Sequence, residues 1–282
     1  MKECFYSQIG IYPHTLQKVA REGVGIYYRI NDFLPDRKTL VFVHGLTGSS
    51  SAWLKYEQKF QNEYNILSFD LRGHGKSVRP KRYEAYAIKN FAEDLHELVN
   101  YLRLEKFILI SHSFGTLIAL EFLCAYQSMV TSAVFLGVNY GVARLKFAPV
   151  TRLFLKWSSA FVSFWPFSVK VGGHIDYSRY PDTPDVSVRR ISTDVRNTGV
   201  RVYLYCLRHI FGFDHDDWWS RIEIPVLIMH GRQDTYIPAV NAIALAKQMK
   251  NSELMIFENA NHILILNNFA EVSAAIKDFV EK

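Results

Sequence analysis

The sequence predicts an α/β fold: a mostly parallel central sheet with helices on both faces and an inserted helical cap. Three observations carry that prediction. Short apolar runs recur at 39–43, 65–69, 107–110, 133–136, 226–229 and 254–257, and their near-continuous hydrophobicity is what strands of a sheet covered on both faces require. Segments of helical spacing alternate with them, as at Ala87, Phe91, Leu95, Leu98 and Leu102, then at 117–126, 240–249 and 269–279, and βαβα alternation implies parallel strands joined by right-handed crossovers. Finally, the alternation lapses between Gly137 and about Arg221 and resumes at Ile224-Pro225-Val226. The expected organisation is therefore a core of 1–138 and 221–282, with 139–220 inserted as a cap.

Ahead of the first run, 17–20 and 26–30 flank Glu22-Gly23 and read as an antiparallel hairpin leading into the sheet. The remaining elements follow in chain order. The run at 39–43 ends in HGLTG, 65–69 ends in DLRGHGKS, and 107–110 enters SHSFG before the apolar helix 117–126. The last two runs end in HGRQDTYIP at 230–238 and ENANH at 258–262.

A chain of 282 residues, 49% apolar and 21% charged, can bury a full core without disulfides. Its three cysteines, Cys4, Cys124 and Cys206, are scattered and lack metal or redox spacing, which fits a reducing compartment. The opening MKECFYSQIGIYPH is charged and polar where a signal peptide needs an apolar run, and no stretch reaches the 18 apolar residues of a membrane span. A cytoplasmic protein is expected. The formal charge of +6 comes without a long basic run, so no nucleic-acid partner is expected.

SHSFG at 111–115 lies between strand and helix, the context of a nucleophile elbow. So sharp a turn needs small residues two before and two after the nucleophile. Ser113 has Ser111 and Gly115 there, whereas Ser111 would have Leu109; Ser113 is the candidate nucleophile. A hydroxyl also needs a base and an orienting acid, and Asp234 and His262 follow the last two strands, at the strand edge where ligand sites of such sheets lie. Their order, Ser then Asp then His, is that of a serine triad on this kind of sheet. HGLTG can aim the backbone N–H of Leu46 at the same pocket, opposite that of Phe114. Loss of one such oxyanion donor typically costs about 3–4 kcal/mol in activation free energy.

On HGLTG, DLRGHGKS, SHSFG, HGRQDTYIP and NANH, in this order and spacing, the chain resembles the α/β-hydrolase superfamily, and within it the capped serine esterases and lipases. The resemblance covers everything but the cap. Ser111 departs from the commoner glycine of the elbow but is still small. The resemblance implies Ser113, Asp234 and His262 as catalytic residues, the backbone N–H groups of Leu46 and Phe114 as the oxyanion hole, and no cofactor or metal. The implied substrate is a carboxylic ester with an apolar acyl or aromatic part. The same triad serves thioesters, lactones, amides and C–C bonds, and a ligand-binding protein on this scaffold would usually have lost a triad member. A serine rather than an aspartate at the elbow argues against epoxide hydrolase or haloalkane dehalogenase chemistry.

Other polar clusters carry structural readings. Asp70, Arg72, His74 and Ser77 are expected to brace the site edge, His44 to brace the oxyanion loop, and His112 to point away from Ser113. Asp214-His215-Asp216-Asp217 is contiguous, unlike converging metal ligands, and precedes Trp218-Trp219 as a helix entry. The stretch 144–170 has five basic residues, no acidic ones, and Phe147, Phe154, Trp157, Phe161, Phe164, Trp165 and Phe167. Its aromatic face is expected to pack on the core and line an acyl pocket, with a lipid-surface contact at its rim as a further reading.

Overall fold

The computed structural model describes residues 11–16, 25–164 and 172–282. Eight strands form one sheet in the order β1-β2-β4-β3-β5-β6-β7-β8. They are β1 (Ile11–Leu16), β2 (Ile26–Asn31), β3 (Thr39–Val43), β4 (Asn65–Phe69), β5 (Phe107–His112), β6 (Val130–Leu136), β7 (Val226–Gly231) and β8 (Ser252–Phe257). Strand β2 runs antiparallel to both neighbours, and every other pairing is parallel. The residues proposed from sequence for the first arm of the hairpin, 17–20, lie outside the described residues. The strand that faces β2 is β1, with Ile11 opposite Asn31 and Leu16 opposite Ile26.

Each central strand feeds two cores because successive side chains point to opposite faces. On β3, Val41 and Val43 join one apolar cluster while Leu40 and Phe42 join the other. On β5 the split is Phe107 and Leu109 against Ile108 and Ile110. The first cluster is closed by α2 (Ile88–Tyr101) through Phe91, Leu95 and Leu98, by α3 (Phe114–Tyr126), and by α7 (Ala239–Gln248). The second is closed by α1 (Leu54–Phe60), the short α8 (Leu264–Asn267) and α9 (Phe269–Glu281), with Tyr56, Phe60, Leu264, Ile276 and Phe279. Strand β8 lies at the sheet edge, where Leu254 and Met255 are partly exposed. Its apolar run is thus less buried than those of the inner strands.

Between β6 and β7 the chain leaves the sheet and forms α4 (Ala148–Phe164), α5 (Val188–Thr198) and α6 (Val200–Gly212), then a 3-10 turn at Asp216–Arg221. This segment is tied down by polar contacts to loops at the parallel-strand ends. His174 Nε2 lies 2.8 Å from Asp70 Oδ2, Ser51 Oγ donates to the Ile175 carbonyl, and Thr198 Oγ1 donates to the Thr47 carbonyl. No helix among the described residues is long and apolar enough to cross a membrane.

The aromatic residues of α4 depart from the expectation of inward packing. Phe154, Trp157, Phe161 and Phe164 are exposed, and the buried face of the helix is Ala148, Leu155, Ser159 and Val162. Small residues let α4 lie close along α6, where Arg208 donates to Ser159 Oγ and Arg201 to the Val162 carbonyl. Trp165 and Phe167 lie outside the described residues.

Candidate active site

The parallel strands end along one edge, and the loops leaving β3, β5, β7 and β8 meet there. After β5 the backbone turns at Ser113 with φ 50° and ψ −117°, then enters α3 at Phe114. A positive φ is costly for a residue with a Cβ and persists only where its surroundings impose it. Here the Ser113 N–H donates to the Leu136 carbonyl, and the Ser113 carbonyl accepts from Thr116 N–H and Oγ1. Gly115 meets the turn's steric demand: a Cβ there would sit 2.8 Å from the carbonyl oxygens of Val43 and His44. Ser111 is buried beneath the turn, and its Oγ has no partner among the described residues.

Ser113 Oγ lies 2.8 Å from His262 Nε2, and His262 Nδ1 lies 2.7 Å from Asp234 Oδ2. Three residues spread over 149 positions thus form one hydrogen-bonded chain. The other Asp234 oxygen accepts from the backbone N–H groups of Tyr236 and Ile237, and His230 Nε2 stands 3.1 Å from Oδ2. Burial works against the Asp234 charge, but the hydrogen bonds from His230 and His262 outweigh it and hold the carboxyl well below the usual carboxylate range. Asp234 is therefore an anion that accepts the Nδ1 proton and leaves Nε2 as a base toward Ser113.

The loop 44–48 that follows β3 is braced as a unit. Leu71 N–H donates to His44 Nε2, so His44 Nδ1 carries the proton and donates to the Gly45 carbonyl at 2.8 Å. Burial lowers the His44 pKa to about 4, keeping this tautomer neutral. Gly48 N–H closes the turn on the Gly45 carbonyl. Gly45 packs against Ser113, with room for a Cβ only 3.3 Å from that of Ser113. Gly45, Leu46, Thr47 and Gly48 share a cavity wall with Ser113 and His262. Phe114 follows Ser113 directly, its N–H at the first turn of α3 where no intrahelical acceptor exists, and Leu46 lines the cavity onto which Ser113 opens.

Two residues hold the His262 backbone from either side, and sequence reasoning missed both roles. His112 Nε2 lies 2.9 Å from the His262 carbonyl, and burial pushes its pKa down to about 3, so it stays a neutral donor. Asp185 is buried in the cap segment. Its Oδ1 accepts the His262 N–H at 2.8 Å, and its Oδ2 accepts the Thr235 N–H and Oγ1 at 2.8 and 2.9 Å. Its carbonyl accepts from Tyr236 OH and Arg190 Nη2. Nothing local in Thr183-Pro184-Asp185 signals this, since the partners lie 50 and 77 residues away.

The remaining predicted clusters lie apart from this chain. Asp70 accepts from Ser50 N–H and Oγ, Lys76 N–H and His174. Arg72 grips Asp94 through two nitrogens, and Ser77 Oγ donates to the Asp70 carbonyl. His215 stacks on Trp218, and Asp217 pairs with Arg221 in the turn that leads back to β7. Among the described residues no group of three His, Cys, Asp or Glu side chains converges as metal ligands would.

A cavity of about 400 Å³ opens onto Ser113 and His262. Its apolar wall includes Val142, Leu145, Phe147, Leu207, Ile210 and Phe211, and its polar side includes the ion pair Arg190–Asp194, 2.8 Å apart. Of the aromatic residues expected to line it, Phe147 does, whereas Phe154, Trp157, Phe161 and Phe164 face outward.

Known proteins give the same fold with varied chemistry. Epoxide hydrolase 1 of Caenorhabditis elegans is 21% identical over 271 residues, spanning 88% of this chain and 66% of that protein. A thermophilic esterase from Thermogutta terrifontis superposes with a TM-score of 0.71 at 18% identity, covering 96% of this chain and 98% of that one. The bromoperoxidase of Bacillus anthracis superposes equally well, 0.71 at 21% identity over 96% and 100%. Identities this low carry the fold and leave the reaction to the site. Residues 38–269 match the model of the alpha/beta hydrolase fold family, and the chain, with its parallel sheet and strand-end loops, belongs to that family.

Proposed function

We propose that the protein is a serine hydrolase that cleaves carboxylic esters with an apolar acyl or aromatic part through an acyl-enzyme. The observation that carries this reading is the unbroken relay from Ser113 Oγ through His262 to Asp234, at 2.8 and 2.7 Å. His262 Nε2 takes the Ser113 proton as Oγ attacks the ester carbonyl. The Leu46 and Phe114 N–H groups receive the developing oxyanion. His262 then returns the proton to the leaving alcohol, and water, activated by the same nitrogen, releases the acid. Asp234 stays ionised throughout, orienting the ring and stabilising the imidazolium.

Asp185 and His112 position the base rather than react. The largely apolar cavity supports the acyl preference, because a pocket of this size gains affinity chiefly by covering apolar surface and fixes orientation with a few polar groups. The elbow residue is a serine, so a carboxylate-derived alkyl-enzyme has no nucleophile here. The test is a panel of esters, thioesters, lactones and amides against wild type and Ser113→Ala, with fluorophosphonate labelling of both. Esters should lead the panel, and Ser113→Ala should lose turnover and label while keeping its fold. Undiminished turnover in Ser113→Ala would overturn the assignment.

A further inference from the structure

Helix α4 is built the wrong way round for a helix that only roofs a cavity. Its buried face is narrow and made of Ala148, Leu155, Ser159 and Val162, while Phe147, Val150, Phe154, Trp157, Phe161 and Phe164 are exposed, from 56% at Phe147 to 88% at Phe164. These six follow one another at alternating steps of three and four residues, which sets them in a single stripe along the helix. An ordinary amphipathic surface helix turns its large apolar side chains inward, and a contiguous exposed apolar patch of this kind marks a contact surface.

The charges that the segment itself carries are of one sign, although Arg144 at its start pairs with Asp214 at 3.8 Å. Lys146 and Lys156 are exposed next to it, and 144–170 contains no acidic residue. Arg152 is turned to the carbonyls of Phe211 and Ala143, fastening the helix to the end of α6. Phe147 belongs both to the stripe and to the cavity wall, so the apolar surface continues into the cavity that holds Ser113. We propose that the outer face of α4 seats in the headgroup and acyl boundary of an anionic lipid bilayer, with Trp157 and the phenylalanines in the apolar layer and Lys146 and Lys156 among the anionic headgroups. A second copy of the chain fits less well, because pairing two such faces would set these lysines together, and the segment that carries the stripe has no carboxylate of its own to match them. The binding itself does not require turnover; only the delivery of an apolar ester from the bilayer to the cavity rests on the function proposed above.

The experiment is co-sedimentation of the full chain with vesicles of phosphatidylcholine alone and of phosphatidylcholine mixed with phosphatidylglycerol. Two variants are compared with wild type, the triple variant F154S/W157S/F161S and the charge reversal K146E/K156E, neither of which alters a buried or cavity-lining residue. Wild type should bind the anionic vesicles at least about tenfold more strongly than neutral ones, and each variant should lose at least about tenfold on the anionic vesicles. Turnover of a soluble short-chain ester by all three proteins separates this inference from the proposed activity. Retained turnover without vesicle binding would overturn the lipid surface alone. Equal binding to both vesicle types would overturn the anionic commitment. A wild-type dimer that the triple variant converts to monomer, with no vesicle binding, would assign the face to a second copy instead.

Discussion

The Asp185 carboxylate, carried by the cap segment, hydrogen-bonds the backbone N–H of His262 at 2.8 Å with one oxygen and the Thr235 N–H with the other. One buried side chain thus ties together the two loops that carry His262 and Asp234. Substitution Asp185→Ala should leave the buried His262 N–H and the partly buried Thr235 N–H without their acceptor and let the His262 loop shift. A displacement near 1 Å at a reacting group costs up to about a hundredfold in rate. The expected result is a fall of about ten- to a hundredfold in kcat on a soluble ester with KM little changed, and a smaller fall for Asp185→Asn, which keeps one acceptor oxygen. Steady-state kinetics on the two variants check it; a change confined to KM would assign Asp185 to substrate binding.

Gly115 makes a separate prediction about the elbow. A methyl group there would meet the Val43 and His44 carbonyl oxygens at 2.8 Å, and both belong to backbone that cannot swing aside. Gly115→Ala should destabilise the fold by about 1–3 kcal/mol through overpacking and slow fluorophosphonate labelling of Ser113, because relief of the clash moves the α3 end that carries the Phe114 N–H. Urea unfolding and the labelling rate measure the two effects. An alanine variant equal to wild type in both would remove the steric argument for the elbow.

How much of this could be read from the sequence depended on the range of the interactions. Ser113, Asp234 and His262 each sit at the end of an apolar run, so a local rule of small neighbours and strand ends located them. The inner strands were legible because burial on both faces writes itself into consecutive residues, as at 39–43 and 65–69. Asp185 left no such trace: its meaning lies in partners from two other loops. The outward stripe of α4 was misread for a related reason. Helical periodicity shows that Phe154, Trp157 and Phe161 share a face but not which way the face turns, and here small residues made the closer contact with α6.

Three buried histidines, His44, His74 and His112, predict the acid side of the stability curve. Burial lowers their pKa values to about 4, 3 and 3, with the neighbouring His44 lowering His74 further. The unfolded chain takes up these protons near the ordinary histidine value of about 6.5. The folded chain takes them up only near the lowered values. Between those limits the unfolded state binds more protons, so stability rises with pH and falls as acid is added. Each group contributes a slope of about 1.4 kcal/mol per pH unit. His74→Gln should flatten the acid limb by about one such slope, because His74 lies away from Ser113 and bonds the Arg72 carbonyl through Nδ1. Urea midpoints across the acid limb test this, and an unchanged slope would count against a neutral buried His74.

The cavity fixes the last prediction, acyl-chain preference. Leu145, Phe147, Leu207, Ile210 and Phe211 give it an apolar wall, and its volume of about 400 Å³ exceeds what an acetyl group fills. Each added methylene that moves from water onto that wall gains about 0.8 kcal/mol, which is about fourfold in kcat/KM per methylene if the contact persists in the transition state. In a series of esters with one leaving group, kcat/KM should therefore climb from acetate to a medium chain and then level off or drop when the chain reaches the end of the wall. Ile210→Trp, filling the wall from α6, should move that optimum to shorter chains. Best turnover at acetate in the wild type would mean that the acyl group does not occupy this cavity, and the apolar wall would then have to serve the leaving group instead.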